Sequence, residues 1–152
     1  MFQLEKLLRP DMTHCAVAGV SKKRVFETAA ALICQAHGEL AENEVYSNLL
    51  GREKLGSTAL GDGIAIPHCR ISNCDEAIVS LITLADGVDF DAPDGEPVDI
   101  LFVLLVPEEA QQEHLNILAG LAQLLNEARF CKLLRDATDD EQLHQAAVAY
   151  TP

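Results

Sequence analysis

The sequence predicts an α/β (α+β) domain in which a small mixed β-sheet is flanked by helices on both faces. Three observations carry this. Two apolar runs rich in β-branched residues, AIVSLITLA at 77–85 and VDILFVLLV at 98–106, read as buried strands. Segments with apolar residues spaced three and four apart lie on either side of them. No repeat, low-complexity tract or linker divides the 152 residues, a length suited to one core, so residues 1–152 read as a single domain.

Taken in order, the first element is a short strand over Cys15–Val20. Ser21 then caps a helix running to about His37, with Phe26, Ala29, Ile33 and Cys34 on one face and Gly38 ending it. A second helix fits Glu42 to about Glu53, with Val45 and Leu49 inward. GSTALGDGIAIPH, which follows, is glycine-rich and reads as a loop with a brief β-like run, Ile64-Ala65-Ile66, stopped by Pro67. Between the two apolar strands, DGVDFDAPDGEPVD reads as a loop. From Glu109 the helical period returns, with Leu115, Leu118, Ala119, Ala122 and Leu125 in phase. Further helices fit Glu127–Arg135 and the residues after Asp139, where Asp140 and Glu141 complement the positive end of the helix.

Composition excludes several functions. The net charge of −13 would repel a nucleic acid, so none is expected as a partner. Lys22, Lys23 and Arg24 form one candidate basic patch. Five cysteines, an odd number with no CxxC pair, argue for reduced thiols in a cytoplasmic protein. The apolar stretches are too short to cross a bilayer as helices, and the first residues lack a signal-peptide pattern, so no membrane insertion is expected.

The chemistry concentrates in Arg52–Arg70, REKLGSTALGDGIAIPHCR. A histidine directly after Pro67, at the end of a short buried strand, is held in place. As a neutral imidazole it carries a lone pair and is a competent nucleophile toward phosphorus. Gly56, Gly61 and Gly63 let backbone N–H groups approach an oxyanion, and Ser57, Thr58 and Arg52 add side-chain donors. On chemistry alone His68 is one candidate among five histidines, and a strand-end or core histidine with its hydrogen bonds satisfied is the more ordinary reading. GSTALGDG also lacks the Gly-Lys-Ser/Thr ending of a P-loop. A zinc set of His68, Cys69, Cys74 and His114 has the right residue types but poor spacing, so no metal or other cofactor is expected.

The run from Glu53 through Leu60-Gly61, Ile64-Ala65-Ile66 and Pro67-His68-Cys69 resembles the phosphorylation-site signature of IIA domains of the phosphoenolpyruvate-dependent phosphotransferase system, of the fructose–mannitol type. SKKRVFE at 21–27, REKLGST at 52–58, PVDILFVLLVP at 97–107 and HLNILAGLAQLL at 114–125 extend the likeness over nearly the whole chain. SKKR and REK-x-GST look most like the nitrogen-regulatory branch. The resemblance implies the family's fold and a covalent phosphohistidine on His68, through Nε2. It implies that His114 stabilises the phosphoryl group and that Arg52 neutralises its charge, with Ser57 and Thr58 as weaker phosphoryl-binding residues. It further implies an HPr-like phosphocarrier (NPr) as donor and regulated partners such as potassium transporters or sensor kinases. The alternative is a sugar-transport IIA that hands the phosphoryl group to a separate IIB. Cys69 stands where the branch more often has glycine. As an exposed thiol beside Arg70 it would be open to activation, and otherwise it is an inert small residue.

Overall fold

The computed structural model describes residues 2–110 and 112–152, the side chain of Glu113 aside. In chain order these form α1 (Leu4–Leu7), a 3-10 turn (Pro10–Met12), β1 (Thr13–Val17), α2 (Lys22–Ala36), α3 (Glu42–Lys54), β2 (Ala59–Gly61) and β3 (Ile64–Ala65). They continue with β4 (His68–Ile71), β5 (Ile78–Val88), β6 (Val98–Pro107), α4 (Gln112–Leu125), α5 (Ala128–Asp136) and α6 (Asp140–Val148). The strands make one mixed sheet in the order β1-β5-β6-β3-β2, with β4 also paired to β6. Strands β5 and β6 are its antiparallel centre, from Ile78 opposite Leu105 to Val88 opposite Val98. Residues 99–106 of β6 are buried almost without a break, which requires cover on both faces. Helices supply it: α2 and α3 pair with each other, as do α5 and α6, and Phe130 of α5 stacks on Phe102 of β6 with ring centroids 6.5 Å apart.

The helix caps follow the sequence. Ser21 Oγ accepts the Arg24 N–H at 3.1 Å, and Asp139 Oδ1 accepts the Gln142 N–H at 2.7 Å. Four expectations are corrected. The first strand lies earlier, at Thr13–Val17, parallel to β5. Its ladder shifts after His14, where Ala16 takes a positive φ of 53° and its N–H goes to Thr83 Oγ1 at 2.9 Å. Strand β5 runs on through Val88, into what reads as loop, because Val88 has a ladder partner in Val98. The glycine-rich segment is more ordered than a loop. Ala59–Gly61 pairs antiparallel with Ile64–Ala65 across Asp62 and Gly63, both at positive φ as a tight hairpin requires.

The most consequential correction concerns His68, which begins a strand rather than ending one. Ile64 lies opposite Ile100, Ala65 opposite Leu101 and His68 opposite Leu104, so β3 and β4 run along β6 in one unbroken register. Pro67 interrupts them only because it has no N–H to give; its carbonyl still accepts from Leu104 N at 2.9 Å.

Candidate functional site

His68, His114 and Arg52 are brought together. With Ser47, Asn48, Gly51, Leu55, Cys69 and Arg70 they line an open cavity of about 460 Å³. His68 comes from β4, His114 from the first turn of α4 and Arg52 from the last turn of α3. The two imidazoles meet edge to face, with centroids 5.2 Å apart and planes at 67°. Helix α3 is bolted to β4 at two points. Asn48 Nδ2 donates to Arg70 O at 2.9 Å, and Glu44 accepts both the N–H and the hydroxyl of Ser72, at 2.9 and 2.7 Å.

The Pro67 kink turns the ring of His68 back on its own backbone. Nδ1 lies 2.7 Å from the carbonyl oxygen of Ile66. A carbonyl oxygen can only accept, so Nδ1 carries the proton and Nε2 keeps the lone pair. The backbone at Ile66 is itself anchored, since its N–H donates to Thr58 O at 3.1 Å. Burial of the half-exposed ring is the main force holding the His68 pKa below the ordinary value of 6.5. The Ile66 bond opposes it, and the Arg52 charge adds to it. The His114 pKa is lowered too, first by burial, then by the charges of His68, Arg70 and Arg52. Its Nδ1 is buried with no hydrogen-bond partner among the described residues. Both rings are therefore neutral at physiological pH.

Arg52 Nη1 donates to Gly56 O at 2.9 Å, and its charge has no carboxylate partner among the described residues. The hydroxyls of Ser57 and Thr58 are committed elsewhere. Ser57 Oγ donates to Phe90 O at 2.7 Å and accepts from Ala59 N–H at 3.1 Å. Thr58 is buried, and its Oγ1 donates to Glu53 Oε1 at 2.6 Å. These two residues thus build the loop below the histidine.

Two residues that matter here were missed as site residues in the sequence. Glu53 is a buried carboxylate that accepts the Thr58 hydroxyl, the Thr58 N–H at 3.1 Å and Lys22 Nζ at 2.9 Å, locking α2, α3 and the loop together. Lys22 is consequently a brace, which also faces Asp91 at 3.6 Å, and Arg24 leans on Glu27; the expected basic patch is dispersed. Arg70 is the other. It shares the solvent-side face of β4 with His68, a relation that shows in sequence only once residues 68–71 are read as a strand.

Cys69 points the opposite way, into the core, and burial pushes its thiol up to about 12. Of the two readings of Cys69, burial supports the inert packing residue over the activated exposed thiol. Its orientation away from His68 also divides the considered zinc set. No cluster of three or more His, Cys, Asp or Glu among the described residues is placed to hold a metal ion.

Comparisons with known proteins agree on one family. Residues 6–147 match the family model described as phosphoenolpyruvate-dependent sugar phosphotransferase system, EIIA 2. A Pseudomonas aeruginosa protein named nitrogen regulatory protein is 48% identical over 148 residues, covering 97% of this chain and 96% of its own. Among solved structures, the nitrogen regulatory protein IIA-Ntr of Neisseria meningitidis superposes with a TM-score of 0.84 at 36% identity. That match covers 95% of this chain and 98% of the other. IIA mannitol of Escherichia coli shares the fold, with a TM-score of 0.70 at 20% identity over 87% of this chain and 92% of its own. No helix among the described residues is long and apolar enough to cross a membrane.

Proposed function

This chain belongs to the EIIA type 2 family of the phosphoenolpyruvate-dependent sugar phosphotransferase system, and on that premise we propose that His68 Nε2 accepts a phosphoryl group from a phosphorylated HPr-like carrier. The observation that carries the proposal is the 2.7 Å bond from Nδ1 to Ile66 O, which commits one ring nitrogen and leaves the other as nucleophile. In the transfer, the Nε2 lone pair forms a new nitrogen–phosphorus bond as the donor's own nitrogen–phosphorus bond breaks. The donor imidazole leaves with the electron pair. Positive charge developing on the His68 ring is shared through Nδ1–H with the Ile66 carbonyl. The equatorial oxygens need cationic or hydrogen-bonding neighbours. Arg52 supplies charge and His114 a ring N–H, while Ser57 and Thr58 brace the loop that follows Arg52.

The donor must bring its own phosphohistidine against this cavity, which favours a rim it can cover. Leu55 on the cavity wall is 84% exposed and Leu115, next to His114, is 60% exposed. On this reading the donor covers both side chains as it docks. We assign the phosphoryl group a regulatory role in the cytoplasm, in which target proteins read the phosphorylated or bare state, because the full-length relatives carry nitrogen-regulatory names.

Incubation with phosphoenolpyruvate and the upstream relay should add one phosphoryl mass to the wild type and none to His68→Ala. Equal labelling of the two would refute the assignment to His68. Rapid onward transfer to a IIB protein would refute the purely regulatory role and favour the sugar-transport alternative.

A further inference from the structure

Arg70 lines the same cavity as the two histidines, yet no step of the transfer above uses it. On β4 it lies two residues beyond His68 on the same face, since Cys69 and Ile71 turn into the core. Its guanidinium does not run out into solvent. Nη1 donates to two backbone carbonyls, Glu108 O at 2.7 Å and Ala110 O at 2.9 Å. Those carbonyls belong to the short connection between β6, which ends at Pro107, and α4, which begins at Gln112. A turn closed by Ala110 N–H on Pro107 O at 3.2 Å sits in the same connection. His114 is the third residue of α4. One side chain from the strand that begins with His68 thus grips the segment that launches the helix bearing His114.

We propose that Arg70 is a positioning residue, which clamps the carbonyls of Glu108 and Ala110 and so sets the first turn of α4, and with it His114, against His68. Its consequence for transfer rests on the phosphocarrier reading; its structural content does not. The buried Nδ1 of His114 has no hydrogen-bond partner among the described residues, so no bond there orients the ring and its place depends on where its backbone is held. Arg70 also contributes charge. His114 faces His68 and Arg70 from β4 and Arg52 from α3, and all three disfavour its protonation. A displacement of about 1 Å at a phosphoryl-transfer site can cost on the order of 100-fold in rate.

The test compares Arg70→Met and Arg70→Lys with the wild type. Methionine removes every donor, whereas a lysine ammonium keeps the charge and can donate to both carbonyls. Phosphoryl acceptance from the phosphorylated HPr-like donor is timed. In the unphosphorylated proteins, contacts between the His68 and His114 rings and the titration of His114 are followed by NMR. R70M should slow acceptance by about 10- to 100-fold, lose the ring–ring contacts and let His114 titrate at higher pH. R70K should restore the contacts, the titration and a rate within a few fold of wild type. A Met variant that keeps the ring contacts overturns the proposal at any rate of transfer, and so does a Lys variant that restores none of them. Arg70→Gln, too short to span both carbonyls, carries the same readouts if the Met variant does not fold. If the wild type accepts no phosphoryl group, the phosphocarrier reading falls, and the NMR arm still decides whether Arg70 positions His114.

Discussion

At His68, a backbone carbonyl chooses between two chemically similar nitrogens. The Ile66 oxygen accepts a hydrogen bond from Nδ1–H, and burial keeps the ring from taking a second proton. Unfolded, the same ring would titrate near 6.5; folded, it titrates lower. Between the two values the unfolded chain binds more protons, so this residue makes stability rise with pH across that window and fall as pH drops below 6.5. The same shift keeps the nucleophile uncharged under mildly acidic conditions. A pH titration of the ring nitrogens by NMR should show His68 changing state below pH 6.5, with the proton of the neutral form on Nδ1. Titration at or above 6.5, or a neutral form protonated on Nε2, would contradict the arrangement. Glu53 makes a related point about polar residues in this site. It is buried, and it is tolerated there because an ammonium, a hydroxyl and an N–H all reach it.

At the scale of elements, the site depends on a strand line built from two short pieces. The β2–β3 hairpin turns at Asp62-Gly63, and Gly63 has a φ of +81° in a crowded place. A Cβ there would lie 2.6 Å from Arg135 Nη2 and 2.8 Å from Asp99 Oδ1, two groups that are themselves paired at 2.9 Å. Gly63→Ala should therefore cost at least about 2 kcal/mol, from backbone strain and the displaced ion pair. Denaturant unfolding measures this, and a change within about 0.5 kcal/mol would show that the turn relaxes freely. This hairpin also marks where sequence reading fell short. The Asp-Gly pair is a known hairpin signal, but the three-residue and two-residue strands beside it are too short to show alternation. β4 was hidden for another reason: Pro67 looks like a stop, although the ladder resumes one residue later in the same register. The long elements were legible because periodicity and caps agree with tertiary packing there, as at Ser21 and Asp139.

For the whole molecule, an acidic chain with a net charge of −13 gathers Arg52 and Arg70 around one cavity, neither with a carboxylate partner among the described residues. Phosphorylation would add roughly −1.5 to −2 charge at that spot. A partner touching Leu55 or Leu115 would then meet a different surface in each state, which is how a small domain can signal without refolding. His68, His114 and Arg52 were candidates through motif resemblance alone, since no spacing rule links their three distant segments, and the fold brings them to one cavity. Arg70 was not, because its role depends on a strand and a turn that only the fold brings together. Ser57 and Thr58 read in sequence as hydrogen-bond donors to a phosphoryl group, whereas in the fold their hydroxyls donate to Phe90 O and Glu53 Oε1. The proposed phosphoryl transfer through this cavity depends on one atom, Nε2 of His68. Long-range proton–nitrogen correlation NMR on the chain phosphorylated through the relay should show phosphorus coupled to Nε2 of His68, with Nδ1 still bonded to the Ile66 carbonyl. Phosphorus on Nδ1, or on any other histidine, would contradict it.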